Sequence, residues 1–112
     1  MRQVIAIEMG MGVDLMGQDV TKAALRAVRD AIGHASLPGM RALPAESGGA
    51  MQVHVRLGVP IDRDKVDKAA VAASLPRGEV TVEVLPGGLL TPSHCEGGGD
   101  IVMVVAAIEA GV

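Results

Sequence analysis

The chain has 112 residues, a formal net charge of -3 and no Phe, Tyr or Trp. That length suits one domain spanning residues 1–112, near the size where self-association often adds stability, and the mild acidity and missing aromatic rings exclude the electrostatic footprint and stacking platforms of a nucleic-acid binder. One cysteine excludes an internal disulfide, and no signal-peptide core or membrane-spanning apolar run occurs, so the expectation is a soluble cytoplasmic protein with no membrane partner.

QVIAIEM, residues 3–9, is short, apolar and β-branched, which predicts a strand covered on both faces. Asp19 is placed as an N-cap, and Val20, Ala23, Ala24, Ala27, Val28, Ala31 and Ile32 recur at helical spacing, which predicts an amphipathic helix ending at Gly33. A Gly/Pro-punctuated loop follows through residues 37–50. MQVHVRLGV, residues 51–59, alternates as a half-exposed strand. Asp62 is then expected to cap a second helix with a stripe of Val66, Ala69, Ala70 and Ala73, stopped at Pro76 and Gly78. VTVEVL is a third strand, residues 86–100 form a long glycine-rich connection, and IVMVVAAI predicts a fully buried last strand. The order β-α-β-α-β-β defines an α/β sandwich, a mixed sheet packed against two helices. Without aromatic residues the core must be filled by Val, Ile, Leu, Ala and the seven Met, and self-association is expected.

A short self-similarity, IAIEMG then DVTKAA against VHVRLG then KVDKAA, suggests a strand, glycine turn and capped helix occurring twice. If so, the first two strands are parallel neighbours whose loops open at one sheet edge, where α/β sheets bind ligands.

The candidate site begins at EMGMGVDLMGQDVTKAA, residues 8–24. Gly10, Gly12 and Gly17 permit positive φ and close approach, so with Asp14 the segment reads as a cradle for an anion or oxyanion, or as a hinge with a helix cap. It lacks the spacing of a nucleotide fingerprint. Lys22, a cation in the first helical turn, opposes the helix dipole and calls for a negative partner, from Asp14, Glu8 or a bound substrate; the plain alternative is a solvated lysine. Glu8 and Arg56 sit at matching strand ends and are expected to form an ion pair, or to orient a polar ligand through the guanidinium. His54 is expected at a surface or interface. Ser93, His94, Cys95, Glu96 and Asp100 crowd one loop, but adjacent residues cannot converge as a Ser-His-acid triad, and metal-ligand spacing is missing around His34, His54, His94 and Cys95, so no metal or cofactor is expected.

Two resemblances bear on identity. IEMGMGVDLMGQDVTKAALRAVRDAI, then SLPG, then GGGD with an apolar carboxy-terminal strand ending EAGV, resembles the small "Lin" family of conserved hypothetical bacterial proteins over essentially the whole chain. DVTKAA is also similar to the helix start in the repeats of cyclic amide hydrolases such as cyanuric acid hydrolase and barbiturase, with Lys22 where those enzymes carry a substrate-binding arginine. The next strand here, VHVRLGVP, lacks their nucleophilic serine. That likeness implies a homotrimer binding a small polar ligand between subunits without the same covalent chemistry.

The leading expectation is a homo-oligomer with a small-molecule site at a subunit interface or sheet edge. In it Gly10, Gly12, Asp14 and Lys22 cradle the ligand, Arg56 orients it, and Ser93, His94 or Glu96 handles protons. The rival is a non-catalytic assembly or regulatory subunit, for which these residues should scatter over the surface.

Overall fold

Asp19 starts the longest helix for a local reason: its carboxylate accepts the Lys22 amide at 3.1 Å and its carbonyl the Ala23 amide, satisfying donors that the first turn leaves free. The computed structural model describes residues 1, 3–34, 51–75 and 78–112. Helix α1 spans Val20–Gly33 and buries Val20, Ala23, Ala24, Ala27, Val28 and Ala31, the stripe that the spacing predicts. Around it lie strands β1 (Val4–Asp14), β2 (Gln52–Val59), β3 (Glu79–Pro86), β4 (Leu89–Pro92) and β5 (Asp100–Gly111), and a six-residue helix α2 (Lys68–Ala73). This is the expected α/β order, with one added short strand, β4, inside the predicted connection of residues 86–100.

The sheet runs β1-β5-β2-β3. Strand β5 is antiparallel to β1 on one side; on its other side lie β2 and then β4, both antiparallel to it, while β3 adds parallel to β2. The first two helix-connected strands are therefore parallel but not neighbours, because the last strand of the chain inserts between them. Both helices cover one face, α1 against β1 and β5, α2 against β3. On that face Val53, Val55, Leu57 and Val59 of β2 meet Val102, Val104, Ala106 and Ile108 of β5 and the alanines of α1.

Several expectations change at the level of single elements. Strand β1 does not stop at residue 9 but continues through the glycines to Asp14, and it is an edge strand with one open face: Ile7 is 58% and Met9 70% exposed. Strand β5 is central by pairing yet open on the same face, with Val105 46% exposed, so it is not fully buried. The second helix starts later than predicted. Asp62 sits at φ 49° and its side chain accepts no cap bond, residues 63–65 form a single 3-10 turn, and Asp67 is the real cap, its carboxylate accepting the Ala70 amide at 3.0 Å. The buried residue of this helix is Val71, with Val66 buried just ahead of the cap, while Ala69 and Ala73 face solvent. The core is almost wholly valine and alanine; Met1, Met9, Met11 and Met16 are exposed rather than packed inside. The predicted loop of residues 37–50 and the stop at Pro76 lie outside the described residues. Among the described residues no helix is long and apolar enough to cross a membrane.

Candidate functional site

The glycines of the first segment are explained by packing. Gly10 and Gly12 alternate with Met9 and Met11, so they occupy the helix side of β1, where α1 lies directly on the strand. A Cβ on Gly10 would stand 2.6 Å from the Ala27 carbonyl oxygen, and one on Gly12 would meet the Ala23 carbonyl and the Ala27 nitrogen. Neither glycine, nor Gly17, has positive φ. The close approach expected of them is real, but what approaches is the protein's own helix, which leaves no space there for an anion.

Asp14 ends β1 and is 5% exposed. Its Oδ2 accepts the Asp19 amide at 2.8 Å, and its Oδ1 lies 3.7 Å from Nη1 of Arg26, which also donates to the Val13 carbonyl at 2.6 Å. The acid thus pairs with Arg26 rather than with Lys22. Lys22 points to solvent on α1, and the negative group at its helix end is the Asp19 cap.

The loop after β4 meets the same end of the molecule: a Cβ on Gly99 would come 3.3 Å from the Gln18 side chain, just ahead of α1. Within that loop Ser93 Oγ accepts the Cys95 amide at 3.2 Å, His94 takes φ 57°, and Cys95 and Glu96 are exposed. Ser93, His94 and Glu96 make no hydrogen bond to one another, so the loop holds chemistry-capable groups without orienting them as a relay. Among the described residues no three His, Cys, Asp or Glu groups gather as a metal site.

Arg56 stands elsewhere. It lies on the face of β2 that the helices leave open, where Gly10 borders the same depression as Arg56, whereas Lys22, Gly12 and Asp14 do not line it, so the structure does not bring the expected set to one cradle. The expected Glu8–Arg56 pair is also absent: Glu8 is on the helix side of β1, opposite Ile108, and Arg56 Nε lies 3.6 Å from Glu83 Oε2.

Residues the sequence reading passed over complete the polar part of that open face. His54 Nδ1 is 2.7 Å from Thr81 Oγ1 and its Nε2 is 3.0 Å from Glu83 Oε2, so one carboxylate oxygen serves both His54 and Arg56. The signal was present: VTVEVL alternates, and pairing it in register beside VHVRL puts Thr81 opposite His54 and Glu83 opposite Arg56. Glu109 of β5 flanks His54 on the other side.

Toward β1 the open face turns apolar. Successive cross-strand rows read Ile7–Glu109–His54–Thr81, Met9–Ala107–Arg56–Glu83 and Met11–Val105–Gly58–Leu85. Because Ala107 and Gly58 have little or no side chain, a shallow depression of about 550 Å³ lies between Met9, Arg56, Leu85 and Val105. Chemically, the face joins a greasy half, a small dip and a polar cluster of His54, Arg56, Thr81, Glu83 and Glu109.

Comparison with known proteins adds family but no activity. A family model described as a conserved hypothetical protein (Lin0512_fam) matches residues 4–110. A crystal structure of an FtsZ-like protein of unknown function from Nostoc punctiforme PCC 73102 is 34% identical to the chain, with a TM-score of 0.80, and the alignment covers 96% of this chain and 93% of that one. No curated protein matches.

Proposed function

Because the chain belongs to the Lin0512 family of conserved hypothetical proteins, whose description names no reaction, we propose a function from its surface: it is the subunit of a homo-oligomer, a non-catalytic assembly or regulatory protein. The observation that carries this reading is the apolar half of the open sheet face. A sheet with helices on one side ordinarily turns polar residues to water on the other, yet here Ile5, Ile7, Met9, Met11 and Val105 are each at least 45% exposed along two adjacent strands. Contiguous exposed apolar surface of this kind marks contact sites. The scatter of Lys22, Arg56 and the Ser93 loop supports assembly over catalysis.

Sedimentation equilibrium tests the reading. Wild type should sediment as more than one copy, and Met9→Lys, which places a charge where the side chain is 70% exposed, should shift it toward a single copy without loss of helical circular dichroism. A wild type that is one copy at all concentrations would overturn it.

A second reading keeps a small polar or anionic ligand, favoured by the dip beside Arg56. Arg56 would orient the ligand there by its guanidinium fork. A panel of small carboxylates, phosphate and cyclic amides should then raise the melting temperature of wild type by mass action but not that of Arg56→Gln.

A further inference from the structure

Resting on the oligomer reading, we infer how the copies join: strand β1 pairs antiparallel with β1 of a second copy across a two-fold axis at Ile7. The argument starts from the edge of the sheet. In an antiparallel ladder the peptide groups of alternate residues point to the neighbouring strand and away from it. The Met11 amide donates to Asp30 Oδ2 at 2.9 Å and the Val13 carbonyl accepts from Arg26 Nη1 at 2.6 Å, so these two residues point outward, away from β5. By the same alternation Ile7 and Met9 point outward too.

The edge is thus treated differently along its length. Toward Asp14, side chains of α1 cap the outward groups; His34 Nε2, 3.0 Å from Asp30 Oδ1, braces one of these caps. At Ile7 and Met9 no side chain among the described residues does so. Natural edges are blunted by lysine, proline, bulges or short length; Val4–Asp14 has eleven residues with no lysine or proline, and its register shift against β5 falls between Val4 and Ala6, ahead of Ile7. A strand left with free donors and acceptors and flanked by Ile5, Ile7 and Met9 is complementary to another strand of the same kind.

Register follows from charge and caps. Centring the pair on Glu8 would set two Glu8 carboxylates directly opposite each other, which is unfavourable. Centring it on Met9 would spend Ile7 against Met11, whose amide Asp30 already holds. Centring on Ile7 puts Glu8 against Ala6 and lets both outward groups of Ile7 bond to those of its twin, with the apolar side chains packed across the seam on the open face. Such a contact closes as a dimer or another even-numbered assembly, in place of the homotrimer that the cyclic amide hydrolase likeness implies.

Amide hydrogen exchange of the full chain, followed residue by residue by NMR at a concentration where sedimentation finds it assembled, is the test. The Ile7 amide should exchange slower than an open edge amide by about tenfold or more, and that protection should vanish on dilution to a single copy. Rapid exchange at Ile7 in an assembled protein would overturn the edge pairing while leaving the oligomer reading intact. A single copy at every concentration would overturn both. Protection that survives dilution would mean that the chain itself covers the edge, and a three-copy assembly would exclude the two-fold; either outcome sinks the proposal. Ile7→Pro gives an independent readout, since it deletes an outward donor that the β1–β5 ladder does not use; loss of assembly with unchanged far-ultraviolet circular dichroism is expected, and assembly equal to wild type would overturn the pairing.

Discussion

Glycine carries opposite meanings at Gly12 and Gly33, and the difference is measurable. A Cβ at Gly12 would press into the α1 backbone at Ala23 and Ala27, and main chain cannot step aside as a side chain can. Gly12→Ala should therefore destabilise the fold by about 1–3 kcal/mol, the range for overpacking. Gly33 has nothing within 4 Å of its missing Cβ and no positive φ, so Gly33→Ala should stabilise by about 0.5–1 kcal/mol through backbone entropy. Urea denaturation followed by circular dichroism checks both, since the chain has no aromatic fluorescence. The composition of residues 8–24 announced that something comes close to the backbone; it could not say whether ligand or helix, because the answer depends on where Ala23, Ala27 and Ala31 of α1 land against Gly10 and Gly12. For the same reason Asp14 was legible as special but its partner was not. Arg26 and Lys22 are both one helical face away in sequence, and only the docking angle selects Arg26.

At the scale of elements, long periodic segments were legible and short ones were not. Helix α1 has six buried positions in fourteen residues and a working cap, so its limits follow from sequence. Helix α2 has six residues, too few to hold together without tertiary support, and two aspartates, Asp62 and Asp67, compete as its cap. The structure gives the role to Asp67 and leaves Asp62 in a left-handed conformation. The two should respond with opposite signs. Asp67→Ala removes the bond to the Ala70 amide and should cost about 1 kcal/mol. Asp62→Gly relieves an unfavourable φ and gives up only an exposed contact to Lys65 at 3.9 Å, so it should be neutral or stabilise by up to about 1 kcal/mol. Chemical denaturation of the pair, compared with wild type, decides whether the cap assignment is right; equal losses would contradict it. The added strand β4 escaped notice because four residues after a glycine pair, ending in a proline, have no period to detect.

For the whole molecule, strand order was beyond reach of local pattern. Alternation shows that β5 is apolar on successive residues, which suits a strand buried on both faces or one whose second face meets another copy. Only the pairing of β5 with β1, β2 and β4 reveals that its outer face is open. The methionines tell the same story: a chain without aromatic rings need not store its methionines inside when valine and alanine already fill the space between one sheet face and two helices. Two of those left outside, Met9 and Met11, stand in the apolar half of the open face. If that half is where copies meet, folding and assembly are coupled, and stability must depend on protein concentration. For a dimer, each tenfold rise in concentration is worth about 1.4 kcal/mol, which for a unit of this size raises the melting temperature by roughly 3–5 °C. Thermal scans by circular dichroism over a hundredfold range of concentration should show this slope in wild type and lose it in Met9→Lys. A flat line in wild type, at concentrations spanning assembly, would mean that the exposed methionines and isoleucines contribute nothing to holding copies together.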